Sequence, residues 1–264
     1  MLPRLVATDL DGTLVHSDGT ITRRTREALL ELQSRGVIVV FVTGRPLRWA
    51  REVFDDVGDH GMAIVSNGAL LWNVTEDRPE LERGIDVDTG LEVCERLRAA
   101  VPGSAFACET VAGISLESGF IERYPLPPET PRGSLSEIYR RPALKILARH
   151  EELTPQAYWD LAEDAIGDDV EIVWSSSSTL LEISGRGVTK ASTLEGWAAS
   201  HGIEAHDVVA FGDMPNDIAM LRWAGTSYAM ANAFPTVKAA ADHVAGHHDE
   251  DGVAVVLESL LAQE

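Results

Sequence analysis

The sequence predicts an α/β fold: a doubly wound parallel sheet core with an inserted α+β domain. Two observations support this prediction. Short runs rich in Val and Ile alternate with helical patterns at both ends of the 264-residue chain, as in a parallel sheet covered by helices. Between them, residues 84–185 contain Pro-rich turns and three further strand patterns. We therefore expect a core of residues 1–83 and 186–264 with residues 84–185 inserted. A continuation of one large sheet is the alternative.

The elements of the first domain follow from composition and capping. LVATDL is the first strand, and Thr22 caps a helix that runs to Arg35 and ends at Gly36. The continuously apolar run Val37–Thr43 is typical of a strand with helices over both faces. The other predicted elements are the strand MAIVSNG, a helix Lys190–Ser200 with Leu194, Trp197 and Ala198 facing the core, the strand Asp207–Asp213, a helix from Pro215, the short strand SYAMANA and the closing helix VAVVLESLL.

The inserted block has strand and helix signals of its own. Its strand candidates are ALKILAR, VEIVWSS and TLLEIS. Thr154 followed by Pro155 predicts a helix start, because proline is well tolerated in the first helical turn. We expect Ser175–Ser178 to form a turn between two strands.

Composition excludes several classes of partner. The chain has 42 acidic and 22 basic residues, for a net charge of −20, which argues against nucleic acid or an anionic membrane. A small phosphorylated metabolite stays compatible, because one buried cation outweighs a diffuse negative surface. Cys94 and Cys108 lack metal-type spacing, and no apolar run approaches the roughly 18 residues that span a membrane. We therefore expect a cytoplasmic protein with reduced thiols.

Polar residues follow several predicted strands or open the helices next to them. In open α/β sheets, sites form at the carboxyl ends of the strands, so residues far apart in sequence are expected to converge there. The residues concerned are Asp9, Asp11, Thr43, Gly44, Arg45, Lys190, Asp213, Asn216 and Asp217.

So many carboxylates in one place require positive charge. At about 4 Å and an effective dielectric near 20, each pair of like charges costs roughly 4 kcal/mol. A hard divalent cation with oxygen ligands offsets this repulsion, and Mg²⁺ fits best. Lys190 and the backbone N–H groups near Leu10 and Gly44 are expected to supply the remaining positive potential.

The motifs DLDGTL, VTGRP, the lysine of GVTKAS, and GDMPND occur in this order. They resemble the four motifs of the haloacid dehalogenase superfamily of phosphohydrolases. The inserted block resembles the C2-type cap of its Cof-like branch, and SNGA at Ser66–Ala69 and AMANA at Ala229–Ala233 are also typical of that branch. The resemblance implies a Rossmann-like core, a cap that determines specificity, and a Mg²⁺-dependent phosphatase acting on small phosphorylated metabolites, sugar phosphates first.

The resemblance also implies roles for individual residues. Asp9 is the nucleophile that forms an aspartyl-phosphate, and Asp11 protonates the leaving oxygen and then deprotonates water. The backbone carbonyl of Asp11 and the carboxylates of Asp9 and Asp213 bind Mg²⁺. Asp217 orients Lys190 or metal-bound water, and Gly12 permits the tight turn after the strand. The phosphoryl oxygens are expected near Leu10, Thr43, Gly44, Lys190 and Asn216.

Several residues have simpler interpretations. Asp11 is also compatible with a simple turn beside Gly12. Thr43 is compatible with a helix N-cap before Pro46, and Lys190 with an ordinary solvated lysine on the surface. For Arg45, contact with substrate and a surface ion pair are equally compatible with the sequence. Near Asp249, three histidines suggest a second metal site, although we favour a solvated acidic loop; these are His243, His247 and His248.

Three other functions use some of the same residues: those of a phosphomutase, a dehalogenase and a phospho-receiver domain. A phosphomutase of similar build keeps both Asp9 and Asp11, so the sequence excludes it poorly. A dehalogenase attacks carbon and needs no acid at Asp11. A non-enzymatic phospho-receiver domain uses clustered aspartates and Mg²⁺, but it needs only about half this length and no cap.

Overall fold

The computed structural model describes residues 2–57, 61–173 and 179–262, with side chains 55–57 left out. The chain forms two compact units, Met1–Leu81 with Lys190–Glu264, and Glu82–Thr189. The second unit interrupts the first in sequence, and the predicted insertion 84–185 falls within its range. That this unit is a cap stays a prediction. The predicted turn Ser175–Ser178 and the end of the strand VEIVWSS lie outside the described residues.

The secondary structure alternates between strands and helices over most of the chain. In the described residues, the strands are β1 (Leu5–Thr8), β2 (Ile38–Val42), β3 (Met62–Val65), β4 (Leu70–Asn73), β5 (Arg78–Glu82), β6 (Ala105–Thr110), β7 (Gly113–Glu117), β8 (Arg132–Gly133), β9 (Lys145–Arg149), β10 (Val170–Val173), β11 (Leu180–Gly185), β12 (Val208–Gly212), β13 (Thr226–Ala229) and β14 (His243–Val244). The α-helices are α1 (Arg23–Ser34), α2 (Leu47–Val57), α3 (Val87–Ala100), α4 (Leu135–Ile138), α5 (Pro155–Ile166), α6 (Lys190–Ser200), α7 (Ile218–Trp223), α8 (Pro235–Lys238) and α9 (Gly252–Leu261).

The first unit is built on a sheet with the order β14-β13-β12-β1-β2-β3-β4-β5. From β14 to β3 all neighbours are parallel, and β4 runs antiparallel to β3. Parallel neighbours need crossover connections, which α1, α2 and α7 provide. Strands β1 and β12 lie side by side in the middle and are fully buried. The predicted parallel α/β core is therefore confirmed.

The second unit has a separate sheet with the order β10-β11-β9-β6-β7-β8. Its neighbours are antiparallel except β7 and β8, so the alternative of one continuous sheet is wrong. Helices α3 and α5 pack together over a core that includes Val93, Leu97, Ile146 and Ala162. Cys94 and Cys108 are buried free thiols.

The capping signals identified two helices correctly. Thr22 is the N-cap of α1 and accepts a hydrogen bond from the Thr25 backbone N–H. Thr154 caps α5 in the same way, with Pro155 in the first turn. Each side-chain oxygen satisfies a backbone donor that the helix itself leaves unpaired.

Four predicted elements differ from the structure. The strand MAIVSNG ends at Val65, and Ser66–Gly68 is a 3₁₀ turn. SYAMANA is a strand only to Ala229. The helix predicted from Pro215 begins as a 3₁₀ turn, with α7 proper starting at Ile218. In α6, Leu194 and Ala198 are buried as predicted, but Trp197 is half-exposed and its ring contacts that of His201 at a tilt of 32°.

None of the helices in the described ranges is long and apolar enough to cross a membrane.

Candidate active site

Predicted site residues follow the carboxyl ends of three adjacent strands. Asp9 follows β1, Thr43 follows β2 and Asp213 follows β12, and the sheet order places β1 between the other two strands. The Asp9 N–H donates to the Phe211 carbonyl at 3.0 Å, so the β1–β12 ladder fixes the backbone at Asp9. Side chains that follow different strands are thereby brought to one edge of the sheet.

Lys190 is the cation at the centre of this edge. It opens α6 and is 2% exposed. Its Nζ lies 2.6 Å from Asp9 Oδ1 and 2.7 Å from Asp217 Oδ1. Burial alone lowers the pKa of Lys190, but the carboxylates of Asp217 and Asp9 outweigh burial and raise it. Lys190 is therefore a charged, buried residue, and the alternative of a solvated surface lysine is wrong.

Three buried carboxylates face this one ammonium group. Oxygens of Asp9, Asp213 and Asp217 lie within 4.8 Å of one another. Burial raises the pKa of Asp213 to about 6, assisted by Asp217 and opposed by Thr13. The pKa of Asp9 is also raised well above its usual value, chiefly by burial, although Lys190 opposes the shift. The group therefore carries excess negative charge whenever all three carboxylates are ionised.

This donor set fits a hard divalent cation. Carboxylate oxygens are the ligands that Mg²⁺ selects in proteins, and an additional cation offsets the charge that Lys190 leaves unbalanced. The Oδ1 atom of Asn216 is buried and has no hydrogen-bond partner among the described residues. An unsatisfied buried acceptor is consistent with a partner, such as an ordered water, that the chain itself does not supply.

The turn after β1 brings backbone directly against Asp213. Gly12 has a φ of +75°, and a Cβ built there would lie 2.5 Å from Asp213 Oδ2. The Thr13 hydroxyl donates to Asp213 Oδ1 at 3.2 Å. Glycine is thus required here by conformation and by space, as the sequence predicted for the tight turn.

Asp217 connects Lys190 to the loop after β12. While Oδ1 accepts from Lys190, Oδ2 accepts from the backbone N–H groups of Asp213 and Met214 at 3.1 and 3.0 Å. Asp217 therefore holds the ammonium group and shapes the loop that carries Asp213.

Thr43 closes a short turn and is not the N-cap of α2. Its buried hydroxyl accepts from the Arg45 N–H at 3.0 Å. Helix α2 begins only at Leu47, four residues after Thr43, and the N–H groups of Trp49 and Ala50 bond to the carbonyl of Pro46. The helix-cap interpretation of Thr43 is therefore wrong. Because the hydroxyl accepts from the backbone, its own proton points elsewhere as a donor.

Asp11 lies apart from the buried carboxylates and pairs with Arg45. The guanidinium donates to Asp11 Oδ1 at 2.6 Å through Nη2 and to Oδ2 at 2.8 Å through Nε. The Asp11 side chain is 57% exposed and that of Arg45 22%, and the hydrogen bond to Asp11 raises the pKa of Arg45. Of the two interpretations of Arg45, the structure contains the ion pair.

The other predicted phosphate-binding residues line the same edge. The buried Leu10 carbonyl accepts three backbone N–H groups of the turn after β1. A Cβ on Gly44 would lie 2.9 Å from Asn67 Oδ1, and Asn216 Nδ2 donates to that oxygen at 3.1 Å.

The structure adds two asparagines that were not among the predicted site residues, Asn67 and Asn232. The Nδ2 group of Asn232 donates to the Gly12 carbonyl at 2.7 Å. The segments SNGA and AMANA contained the available signal.

The chain also matches a known family over almost its whole length. A model of the haloacid dehalogenase-like hydrolases covers residues 6–257. The chain belongs to this family.

Two relatives of this hydrolase are named as phosphatases. The 5-amino-6-(5-phospho-D-ribitylamino)uracil phosphatase YcsE of Bacillus subtilis is 28% identical over 260 residues, which cover 95% of this chain and 93% of that protein. The pyridoxal phosphate phosphatase YbhA of Escherichia coli is 29% identical over 274 residues, which cover 99% of this chain and 100% of that protein. This Cof-like hydrolase is thus a phosphoric monoester hydrolase.

A solved structure resembles the hydrolase closely in fold. SMU.1108c from Streptococcus mutans has a TM-score of 0.85 at 26% identity, with 98% of this chain and 99% of that chain covered. The likeness therefore extends across both sheets.

The histidine-rich loop of the hydrolase forms a separate group. Atoms of His247, His248 and Asp249 lie within 4.8 Å of one another, and His243 is not part of the group. Asp249 accepts from the Ser17 backbone N–H and hydroxyl at 2.7 and 2.8 Å, and His248 Nδ1 lies 2.9 Å from the Val15 carbonyl. These contacts anchor the loop to the segment after β1.

Proposed function

We propose that this hydrolase is a Mg²⁺-dependent phosphatase that cleaves small phosphorylated metabolites through an aspartyl-phosphate on Asp9. The observation that supports this most strongly is the buried group of Asp9, Asp213 and Asp217 around Lys190 at the carboxyl ends of adjacent strands. A carboxylate nucleophile next to a dianionic substrate needs such compensation, because the like charges otherwise repel each other.

Asp9 is suited to in-line attack. Its backbone is held in the sheet, and its Oδ1 is bound by Lys190, so Oδ2 is the oxygen oriented for attack on phosphorus. The new Oδ2–P bond forms as the P–O bond to the leaving group breaks. Water then attacks the same phosphorus, which regenerates the Asp9 carboxylate and releases phosphate.

Asp11 carries the protons in this proposal. It donates one to the leaving oxygen in the first step and accepts one from water in the second. Its side chain is more than half exposed even though Arg45 donates two hydrogen bonds to it, so the leaving group and water have access to the Asp11 carboxylate. In this proposal Asp11 releases Arg45 to meet the leaving group, and Arg45 keeps its place beside the reacting groups.

The remaining residues bind the metal and the phosphoryl group. Asp9, Asp213 and the backbone carbonyl of Asp11 would hold Mg²⁺, which supplies positive charge when bound. Thr43 donates its hydroxyl proton, Lys190 its ammonium group and Asn216 an amide N–H to the phosphoryl oxygens. Backbone N–H groups near Leu10 and Gly44 add further donors.

The substrates we propose are sugar phosphates first and phosphorylated cofactors or their precursors next. Two relatives are named for a phosphoribitylamino pyrimidine and for pyridoxal phosphate, which supports small, polar phosphate monoesters as a class. We also propose that residues 84–185 act as the cap that selects among them.

The test is phosphate release from a panel of such metabolites, with Mg²⁺ and with EDTA. We expect turnover only with the metal, and no turnover by Asp9→Asn. Asp18→Asn is the matched control, since Asp18 is an exposed carboxylate on the loop after the same strand. Retention of more than a few per cent of activity by Asp9→Asn contradicts the proposal. Isomerised sugar phosphate without free phosphate identifies the phosphomutase alternative.

A further inference from the structure

A buried turn with unusual backbone angles lies between β3 and β4. Ser66, Asn67 and Gly68 have φ values of +52°, +56° and +103°, and Ser66 and Asn67 are 0% and 4% exposed. Left-handed backbone is unfavourable for residues with a Cβ and persists where surrounding contacts hold it in place. Glycine adopts this backbone without strain, and asparagine tolerates it better than most residues. Asparagine at position 67 adds a carboxamide that glycine lacks.

The backbone of this turn contacts two segments of the candidate active site. The N–H of Asn67 donates to the Thr43 carbonyl at 3.1 Å, and the N–H of Ser66 donates to the Arg45 carbonyl at 2.9 Å. The Gly68 carbonyl accepts from the Thr193 hydroxyl at 2.7 Å, and Thr193 lies one turn after Lys190 in α6. These contacts fix the turn relative to the residues around it.

The side chain of Asn67 contacts Asn216. Its Oδ1 accepts from Asn216 Nδ2 at 3.1 Å. An asparagine amide has two nearly isosteric orientations, one with N–H and one with oxygen toward a given neighbour. An acceptor at Asn67 Oδ1 selects the orientation in which Asn216 turns its NH₂ group toward Asn67, because the other orientation sets two carbonyl oxygens against each other.

We propose that Asn67 is a positioning residue that fixes the amide orientation of Asn216 for phosphate binding. One N–H of Asn216 is held by Asn67, and the second is directed to the phosphoryl group. Without Asn67, the Asn216 amide turns over and presents its oxygen to an anion, which repels it. This role rests on the proposed function, in which Asn216 donates to a phosphoryl oxygen.

The test is a double-mutant cycle. Asn67→Gly removes the carboxamide while keeping a residue that favours positive φ, so the backbone contacts to Thr43 and Thr193 are retained. Kinetics of p-nitrophenyl phosphate hydrolysis with Mg²⁺ are measured for wild type, Asn67→Gly, Asn216→Ala and the double variant. We expect Asn67→Gly to lower kcat/KM by about 10- to 100-fold, the size of one hydrogen bond to a charged group, but to change it less than about threefold in the Asn216→Ala background.

Ser66→Gly is the matched control. It relieves comparable left-handed strain in the same turn and deletes a hydroxyl that has no partner among the described residues, so we expect kcat/KM to stay within about twofold of wild type. The melting temperature of each variant is measured alongside. The affinity for orthovanadate, a phosphate analogue, is expected to fall with Asn67→Gly by a factor similar to kcat/KM.

Three results would overturn the role. Equal losses from Asn67→Gly in both backgrounds would mean that Asn67 does not act through Asn216. A similar loss with Ser66→Gly would assign the effect to the backbone of the turn. An active wild-type enzyme with an unimpaired Asn67→Gly variant would refute the role while leaving the proposed function intact. A folded wild-type enzyme that hydrolyses no phosphate ester would instead refute the proposed function first.

Discussion

Replacing Asp213 by asparagine is expected to stabilise the metal-free protein. Burial raises the pKa of Asp213 from 3.8 to about 6, a change of roughly two units, each of which corresponds to about 1.4 kcal/mol. Ionising this side chain in the folded protein without a metal therefore costs about 3 kcal/mol. Asp213→Asn removes the charge but keeps an oxygen that accepts from the Thr13 hydroxyl.

The sign of the effect depends on pH. An unfolded aspartate titrates near 3.8 and the folded one near 6, so the folded state binds the proton more tightly. The stability that this provides is fully present below the unfolded pKa and is lost as pH rises through the folded pKa. The variant and the wild type should therefore unfold alike near pH 4, and the variant should be about 3 kcal/mol more stable at pH 8.

The assay is urea unfolding in EDTA at several pH values from 4 to 8, repeated with Mg²⁺ at pH 8. Metal bound only by the folded state stabilises wild type by about 2.7 kcal/mol at 100 times its dissociation constant, and the variant should show little of this gain. Asp249→Asn is the control, because hydrogen bonds from Ser17 lower the pKa of Asp249 and its loss should not stabilise the protein. A variant that is no more stable than wild type at pH 8, or equally stabilised at pH 4, would refute the reasoning.

Two further substitutions test the packing and charge of the site. Gly12→Ala should abolish most Mg²⁺-dependent turnover, because its Cβ would lie 2.5 Å from Asp213 Oδ2. Gly19→Ala is the control, because Gly19 has a φ of +84° but a Cβ built there has no atom within 4 Å. This variant should lose about 1–2 kcal/mol of stability and keep its catalytic rate. Equal losses of rate in the two variants would contradict the steric argument. Lys190→Met should eliminate activity and reduce the free energy of unfolding by about 3–5 kcal/mol at pH 8, measured by urea unfolding without metal. The reduction should be smaller at pH 5, where Asp213 takes up a proton because burial raises its pKa to about 6. A reduction independent of pH would argue against carboxylate repulsion as its cause.

One strand of the structure shows none of the sequence patterns from which strands are predicted. Strand β5, with the sequence RPELE, is exposed along its whole length and shows no apolar alternation, so only its place at the end of the sheet order beside β4 makes it a strand. Helix α3 is different, since Asp86 caps it and accepts from the Thr89 N–H. That capping signal is present in the sequence, so this helix was predictable from local pattern.

What the sequence determined by itself is local: the apolar strands, the capped helices and the carboxylates placed at the strand ends. These follow because side-chain periodicity and capping act over a few residues. Which groups meet depended on the tertiary structure. Arg45 pairs with Asp11 across 34 residues, Asn216 with Asn67 across 149, and Lys190 with Asp9 across 181. Only the order and register of the strands bring such residues within hydrogen-bond distance, and only burial there raises the pKa of Asp213 to about 6.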